Sequence, residues 1–160
     1  MFRSKESQQI GDCGEALLFD PGVEDVGALV NSVSSDVRLV RAVPGEVSSQ
    51  LQKLLASGAS TIHLLGHGQP GQVKLAGFVL DGCAWESIVS GSGLSNAETG
   101  EQCVSRDNED LATITADRVI SKQKLEINFW SCQTGEGIMG KKYTQRVADL
   151  CDARVNASSD

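Results

Sequence analysis

Short aliphatic runs alternate with helical stretches along the first half of the chain, and this alternation is the strongest constraint on its fold. Runs at residues 15–20, 37–43 and 60–68 have the length of strands, and Pro-Gly pairs follow the first two directly. Between them, residues 23–33 and 46–58 carry apolar residues at helical spacing. Strands that alternate with helices of this length predict βαβ units and a mostly parallel sheet.

The chain after this point departs from the alternation. A hairpin is predicted to turn at Ala76-Gly77. Residues 90–110 are polar and rich in Gly and Ser, which is typical of a functional lid, a processing site or plain disorder. The remaining predicted elements are helices over 109–123 and 137–153, a strand over 125–131 and a strand from Arg154. We therefore expect an α/β fold, a three-layer sandwich with helices on both faces of a mainly parallel sheet.

The length and net charge of the chain limit the number of domains it can form and the kinds of partner it can bind. The 160 residues fit a single domain, 1–160, that can bury a real core, with residues 1–14 expected to form a flexible or loosely packed segment. A net charge of -7 argues against a nucleic-acid partner and against anionic membranes. No apolar run approaches the ~20 residues of a membrane helix, and the polar N-terminus lacks the apolar region of a signal peptide. No membrane insertion is expected, and the compartment stays undetermined.

The cysteines show neither a zinc pattern nor a disulfide framework. There are five of them, an odd number, and no two stand in a Cys-x-x-Cys pair. A disulfide between Cys83 and Cys103 stays open as an alternative. No metal and no other cofactor is expected.

Two short motifs place reactive side chains where strands are predicted to end. The run "HLLGHG" ends in His67-Gly68, and the run "NFWSC" ends in Ser131-Cys132. In open α/β sheets, ligands bind outside the carboxyl ends of the strands, and adjacent strands lie about 4.8 Å apart. If the two strands are neighbours, His67 and Cys132 flank one small cleft.

These residue types suit nucleophilic catalysis. The thiolate is the nucleophile. A free cysteine has a pKa of about 8.5, so its thiol is little ionised at neutral pH. An imidazole such as that of His67 and a helix N-terminus, predicted near Gly137, both favour the anion of Cys132. Gly68 permits close approach of the backbone to a substrate. Its N–H, with that of Cys132, could stabilise an oxyanion.

Together the two motifs resemble those of the caspase-like cysteine peptidases, clan CD, in which one strand ends in His-Gly and the next in a small residue and Cys. The chain from Leu18 onward also resembles an uncharacterised bacterial domain family found near the N-terminus of large, repeat-rich surface or adhesin-like proteins. The shared phrases are "HG-x-PG", "C-x-x-G-x-G" and a final "AS-S/T-D".

The resemblance implies a caspase-like fold with a catalytic dyad. Cys132 would be the nucleophile and His67 the acid–base group of an endopeptidase or autoprocessing module, acting on a peptide or protein substrate or on its own parent chain. Asp20 and Asp160 are candidates for a pocket that selects Lys or Arg. The resemblance also implies a secreted or cell-surface parent protein. Because caspase-like folds normally continue beyond this last strand, a truncated C-terminus is expected.

The alternative function is a non-catalytic caspase-like domain that serves as an assembly or attachment module of a bacterial surface protein. Single residues have competing interpretations too. Asp20 could cap the following helix, and His63 is interpreted as a core residue within its strand. Lys142 and Arg146 share a helical face that could hold an anion, although a solvated face is the more usual outcome.

Overall fold

Five parallel strands form the main sheet in the part of the chain that the computed structural model describes, residues 14–91 and 124–159. The strands are β1 (Glu15–Phe19), β2 (Val37–Arg41), β3 (Thr61–Leu65), β4 (His67–Gln69), β5 (Gln72–Leu75), β6 (Phe78–Leu80), β7 (Leu125–Trp130) and β8 (Ala153–Ala157). The helices are α1 (Val26–Ser32), α2 (Val47–Ala56), α3 (Gly82–Ser90) and α4 (Gly137–Cys151). The main sheet has the order β2-β1-β3-β7-β8, so the predicted α/β fold with a mostly parallel sheet is confirmed.

The strand order is compatible with a three-layer sandwich. The chain moves outward from β1 to β2, then back across the sheet to β3, and later onward from β7 to β8. Right-handed crossovers therefore put α1 on one face of the sheet and α2 and α4 on the other. α3 contacts both α2 and α4, so these three helices form one layer.

The core lies between the sheet and this layer of three helices. Alternate residues of each central strand point into it, as the two-residue period of a strand requires. These strand residues are Ala16 and Leu18 of β1, Ile62 and Leu64 of β3, and Leu125, Ile127 and Phe129 of β7, all of them buried. Trp85 of α3 and Tyr143 of α4 are buried in the same cluster.

A buried pair of hydrogen bonds joins α3, α4 and the small sheet. The Trp85 Nε1–H donates to the Tyr143 hydroxyl at 2.9 Å, and that hydroxyl donates to the Leu80 carbonyl at 2.7 Å. Burial raises the pKa of Tyr143 well above its ordinary value of 10.0, because the phenolate would lose its water. This hydroxyl therefore stays protonated and orients two packed elements.

The second sheet is antiparallel, with the order β4-β5-β6. Its β5–β6 hairpin turns at Ala76-Gly77, where both residues have positive φ, as a type I′ turn requires. This predicted turn is confirmed. The extra strand β4 was not predicted, because the sequence pattern joins it to β3 without a break.

Several other details differ from the sequence-based expectation. The α3 helix was not predicted, although Asp81 caps it by accepting from the Ala84 N–H at 2.9 Å. Ser90 ends this helix, and residues 92–110 lie outside the described residues, as does the helix predicted over 109–123. Ile138, in the first turn of α4, is exposed. Within the described residues, no helix is long and apolar enough to cross a membrane.

Candidate functional site

The two motifs meet at one edge of the main sheet. β3 and β7 are neighbours and parallel, and their last paired residues are Leu65 and Trp130. The residues that follow these two strands are therefore Gly66-His67 and Ser131-Cys132, which leave the sheet side by side. The condition for a shared cleft, that the two strands are neighbours, is therefore met.

Gly68 holds the two segments in direct contact. A Cβ added at this glycine would overlap the Cys132 carbonyl oxygen and would lie 2.6 Å from Thr134 Oγ1 and 2.9 Å from Ser131 Cβ. Such distances are shorter than real carbon contacts, so only glycine fits here without a backbone shift. The close approach expected of Gly68 toward a substrate is thus made toward the protein itself, against the turn that carries Cys132.

The turn after Cys132 is fixed by its own hydrogen bonds. The buried hydroxyls of Ser131 and Thr134 lie 2.6 Å apart, and Gln133 takes a positive φ of 59°. The Gly135 N–H donates to the Ser158 carbonyl at 2.8 Å, which ties the turn to the chain leaving β8. These contacts hold the Cys132 backbone between two strand ends.

The side chains of the two candidate residues are open to solvent. His67 is exposed at the start of β4, and Cys132 is an exposed free cysteine. Of the other cysteines, Cys151 is buried in α4, and Cys83 of α3 is disulfide-bonded. The proposed pairing of Cys83 with Cys103 falls outside the described residues. The edge therefore combines a tightly packed backbone with two accessible functional groups.

The backbone of β4 also turns a donor outward. The Gln69–Gln72 pair closes the two-residue turn at Pro70-Gly71. Bonded and non-bonded pairs alternate along an antiparallel ladder, so the preceding Gly68 N–H points away from β5. This N–H remains a candidate donor to a developing oxyanion.

Asp20 lies at the same edge but is held by the fold. Its side chain is buried, with Oδ1 accepting from the Gly22 N–H and Oδ2 from the Ala76 N–H, both at 2.8 Å. The interpretation of Asp20 as a helix cap is wrong, because α1 begins after Asp25 instead. Asp160, the other candidate for a substrate pocket, lies outside the described residues.

His63 lies apart from His67, on the sheet face opposite the core. Its Nε2 lies 3.5 Å from the Glu15 carboxylate, and its Nδ1 accepts from the Trp130 Nε1–H at 3.0 Å. The interpretation of His63 as a core residue is wrong, since its side chain is only partly buried. Its contact with Trp130 was not predicted, because nothing in a single strand shows which neighbour it will face.

The basic residues of α4 form an exposed face. Lys141, Lys142 and Arg146 are all exposed, and Arg146 forms an ion pair with Glu86 of α3. The solvated face is therefore the better description. Residues 14–91 and 124–159 contain no group of three or more His, Cys, Asp or Glu that could hold a metal.

Comparison with known proteins gives a family and no named function. No curated protein and no solved structure matches the chain. One family model covers residues 16–160, nearly the whole sequence. The chain therefore belongs to the family described as a domain of unknown function, DUF4347.

Proposed function

We propose that this protein is a cysteine endopeptidase or autoprocessing module in which Cys132 and His67 form the reactive dyad. The observation that carries the proposal is the contact of Gly68 with the Cys132 backbone at the carboxyl edge of β3 and β7. This contact joins the segments that carry the exposed His67 imidazole and the exposed Cys132 thiol, at the edge where α/β sheets bind ligands. The resemblance of both motifs to those of caspase-like peptidases supports the same assignment.

The proposed reaction is acyl transfer through a thioester. The Cys132 thiol gives up its proton to His67, and its sulfur attacks the carbonyl carbon of the scissile peptide. The oxyanion that forms is stabilised by the N–H groups of Gly68 and Cys132. When the C–N bond breaks, His67 protonates the leaving amine. Water then attacks the thioester, which releases the new carboxyl group and restores the thiol.

The N-terminus of a helix closely follows Cys132 along the chain. The fifteen-residue helix α4 begins at Gly137, shortly after the turn that holds the thiol. The partial positive charge at the N-terminus of a helix stabilises a nearby anion. The buried Ser131 and Thr134 hydroxyls fix the backbone on either side of the thiol, so little reorganisation is needed before attack.

Self-cleavage is the decisive experiment. A longer polypeptide that carries this domain within its native flanking sequence is incubated alone and analysed by mass, beside Cys132→Ala and His67→Ala variants. We expect fragments from the unaltered protein and none from Cys132→Ala. The control is Cys151→Ala, which removes a buried thiol and should leave cleavage intact. Fragments that persist in Cys132→Ala, or a native Cys132 no more reactive toward a peptide probe than the buried Cys151, would overturn the proposal.

The second candidate is a non-catalytic assembly or attachment module. Exposed apolar side chains of Trp130, Ile138 and Met139 favour it, because such surfaces are common where proteins dock. Under this alternative, the domain binds a partner and Cys132→Ala changes neither binding nor the length of the chain.

A further inference from the structure

Exposed apolar side chains lie shortly before and after Cys132 along the chain. Within residues 14–91 and 124–159, seven large hydrophobic residues are exposed, and three of them lie between residues 130 and 139. They are Trp130 at 60%, Ile138 at 74% and Met139 at 64% exposure. Trp130 directly precedes the Ser131-Cys132 pair, and Ile138 and Met139 lie in the first turn of the helix that follows it, so each is a candidate contact for an apolar group bound at the thiol.

Trp130 is held in a fixed orientation although it is exposed. Its indole N–H donates to His63 Nδ1 at 3.0 Å, and the two rings lie with centroids 6.1 Å apart. The Glu15 carboxylate lies 3.5 Å from the other nitrogen of His63 and orients the ring. The polar edge of the indole is therefore satisfied within the protein, while much of its apolar surface remains in water. A rigid aromatic surface of this kind loses little entropy on binding.

Ile138 and Met139 occupy the first turn of α4, whose position is also fixed. Gly140 packs directly against the backbone of Gly135, which leaves no room for a side chain between the helix and the Cys132 turn. The Pro70-Gly71 turn lies against Met139, where a Cβ at Gly71 would be 3.6 Å from that of Met139. The apolar side chains beyond Cys132 are thus carried on packed backbone.

A charged substrate finds less to bind in the described part of this edge. Both carboxylate oxygens of Asp20 already accept backbone N–H groups, and the residue is buried. Glu136 is exposed, and ion pairs made in water contribute little to binding. Lys74, which pairs with His67 across β4 and β5, would repel a basic side chain, and because it is exposed it offers an acidic side chain only a weak ion pair in water.

We infer that the site selects an apolar residue immediately before the scissile bond and that Trp130 is a specificity-determining residue for it. This inference rests on the proposed function. The attacked carbonyl belongs to that residue, so its side chain is the one held nearest to Cys132 and its apolar neighbours. The substrate class is therefore a peptide with Leu, Met or a similar side chain at that position, rather than Lys or Arg.

The test uses three electrophilic peptide ketones that differ only in the residue before the reactive carbonyl: Leu, Lys or Asp. The rate at which each labels Cys132 is measured by mass in the full protein. We expect the Leu probe to react at least about tenfold faster than the other two, as is usual for apolar pockets. Trp130→Ala should bring its rate close to that of the Lys probe and leave labelling by iodoacetamide unchanged.

Two further variants guard against a trivial result. Trp130→Phe keeps an apolar ring without the His63 bond and should retain the preference for Leu. Leu39→Ala removes an exposed apolar residue on the edge strand β2 and should change nothing. Equal rates for the Leu and Lys probes, or an unchanged ratio in Trp130→Ala, would overturn this inference alone. If no probe labels Cys132 faster than it labels the same protein unfolded in urea, the proposed function fails with it.

Discussion

The two tryptophans of the chain mark two regions with opposite construction. Trp85 of α3 is fully buried against α4 and the sheet, and its N–H donates to the buried Tyr143 hydroxyl. Trp130 stands at the carboxyl edge of β7 with its N–H bound to a partly buried histidine and its ring largely in water. In the core, side chains carry the packing. At the edge, the backbone is packed and the side chains are left available, which is the arrangement expected of a binding surface.

The sharpest test of this contrast removes each tryptophan in turn. Trp85→Ala should lower the free energy of unfolding by about 3–5 kcal/mol, because it leaves a large cavity and removes the N–H that donates to the buried Tyr143 hydroxyl. Trp130→Ala should cost about 1–2 kcal/mol, since 60% of the residue is exposed and a single hydrogen bond, to His63, is lost. Urea unfolding followed by circular dichroism measures both. Equal losses of unfolding free energy in the two variants would mean that the Trp130 side chain is packed as tightly as the core.

The next largest effect tests the packed backbone of the edge. Gly68→Ala should destabilise the protein by about 1–3 kcal/mol, because its Cβ would overlap the turn that carries Cys132. The control is Gly27→Ala in α1, where nothing lies within 4 Å of the added carbon. That variant should gain up to about 1 kcal/mol from helix propensity alone. A Gly68→Ala protein as stable as the parent would show that the contact is loose.

The smallest predicted effect concerns the Tyr143 hydroxyl in the core. Tyr143→Phe should cost about 1–2 kcal/mol at neutral pH, because the Trp85 N–H and the Leu80 carbonyl lose their partner. Burial raises the pKa of Tyr143 in the folded protein, so the unfolded chain releases the proton first. Stability should therefore fall as the pH rises past about 10.

The pH dependence of urea unfolding distinguishes this effect from other titrations. Tyr143 is the only tyrosine in the chain, so the difference between the parent and Tyr143→Phe isolates its contribution. We expect the gap between the two proteins to narrow at alkaline pH. A gap that stays constant would mean that the buried phenol does not resist ionisation.

Local patterns predicted most strands and little of the site. Aliphatic runs and the Ala76-Gly77 turn are local signals, and the sheet and its hairpin followed from them. The break between β3 and β4 was missed because it arises from a distant contact: a Cβ at Gly66 would lie 2.5 Å from the Lys74 carbonyl oxygen. The α3 helix was missed although Asp81 before it and Gly91 after it are ordinary capping residues.

The partners of individual side chains were the least predictable feature. His67 and Cys132 could be placed at strand ends from the sequence, but the order of the strands had to be assumed. Asp20 ends a strand just as visibly, yet its carboxylate binds the backbone of β1's own turn and of the β5–β6 hairpin. A single sequence does not show which donors a carboxylate will meet after folding. The exposure of the Trp130 ring was also not predicted, because it depends on which side chains lie beside it after folding.

The pairing of β3 with β7 has a consequence for when the site exists during folding. These strands are adjacent in the sheet but separated along the chain by the whole small sheet, α3 and residues 92–123. Closing so long a loop is slow compared with forming the local βαβ unit that precedes it. While the chain is still emerging from the ribosome and β7 has not yet been made, it contains His67 but not Cys132. Any chemistry that needs both would be timed by the completion of the sheet.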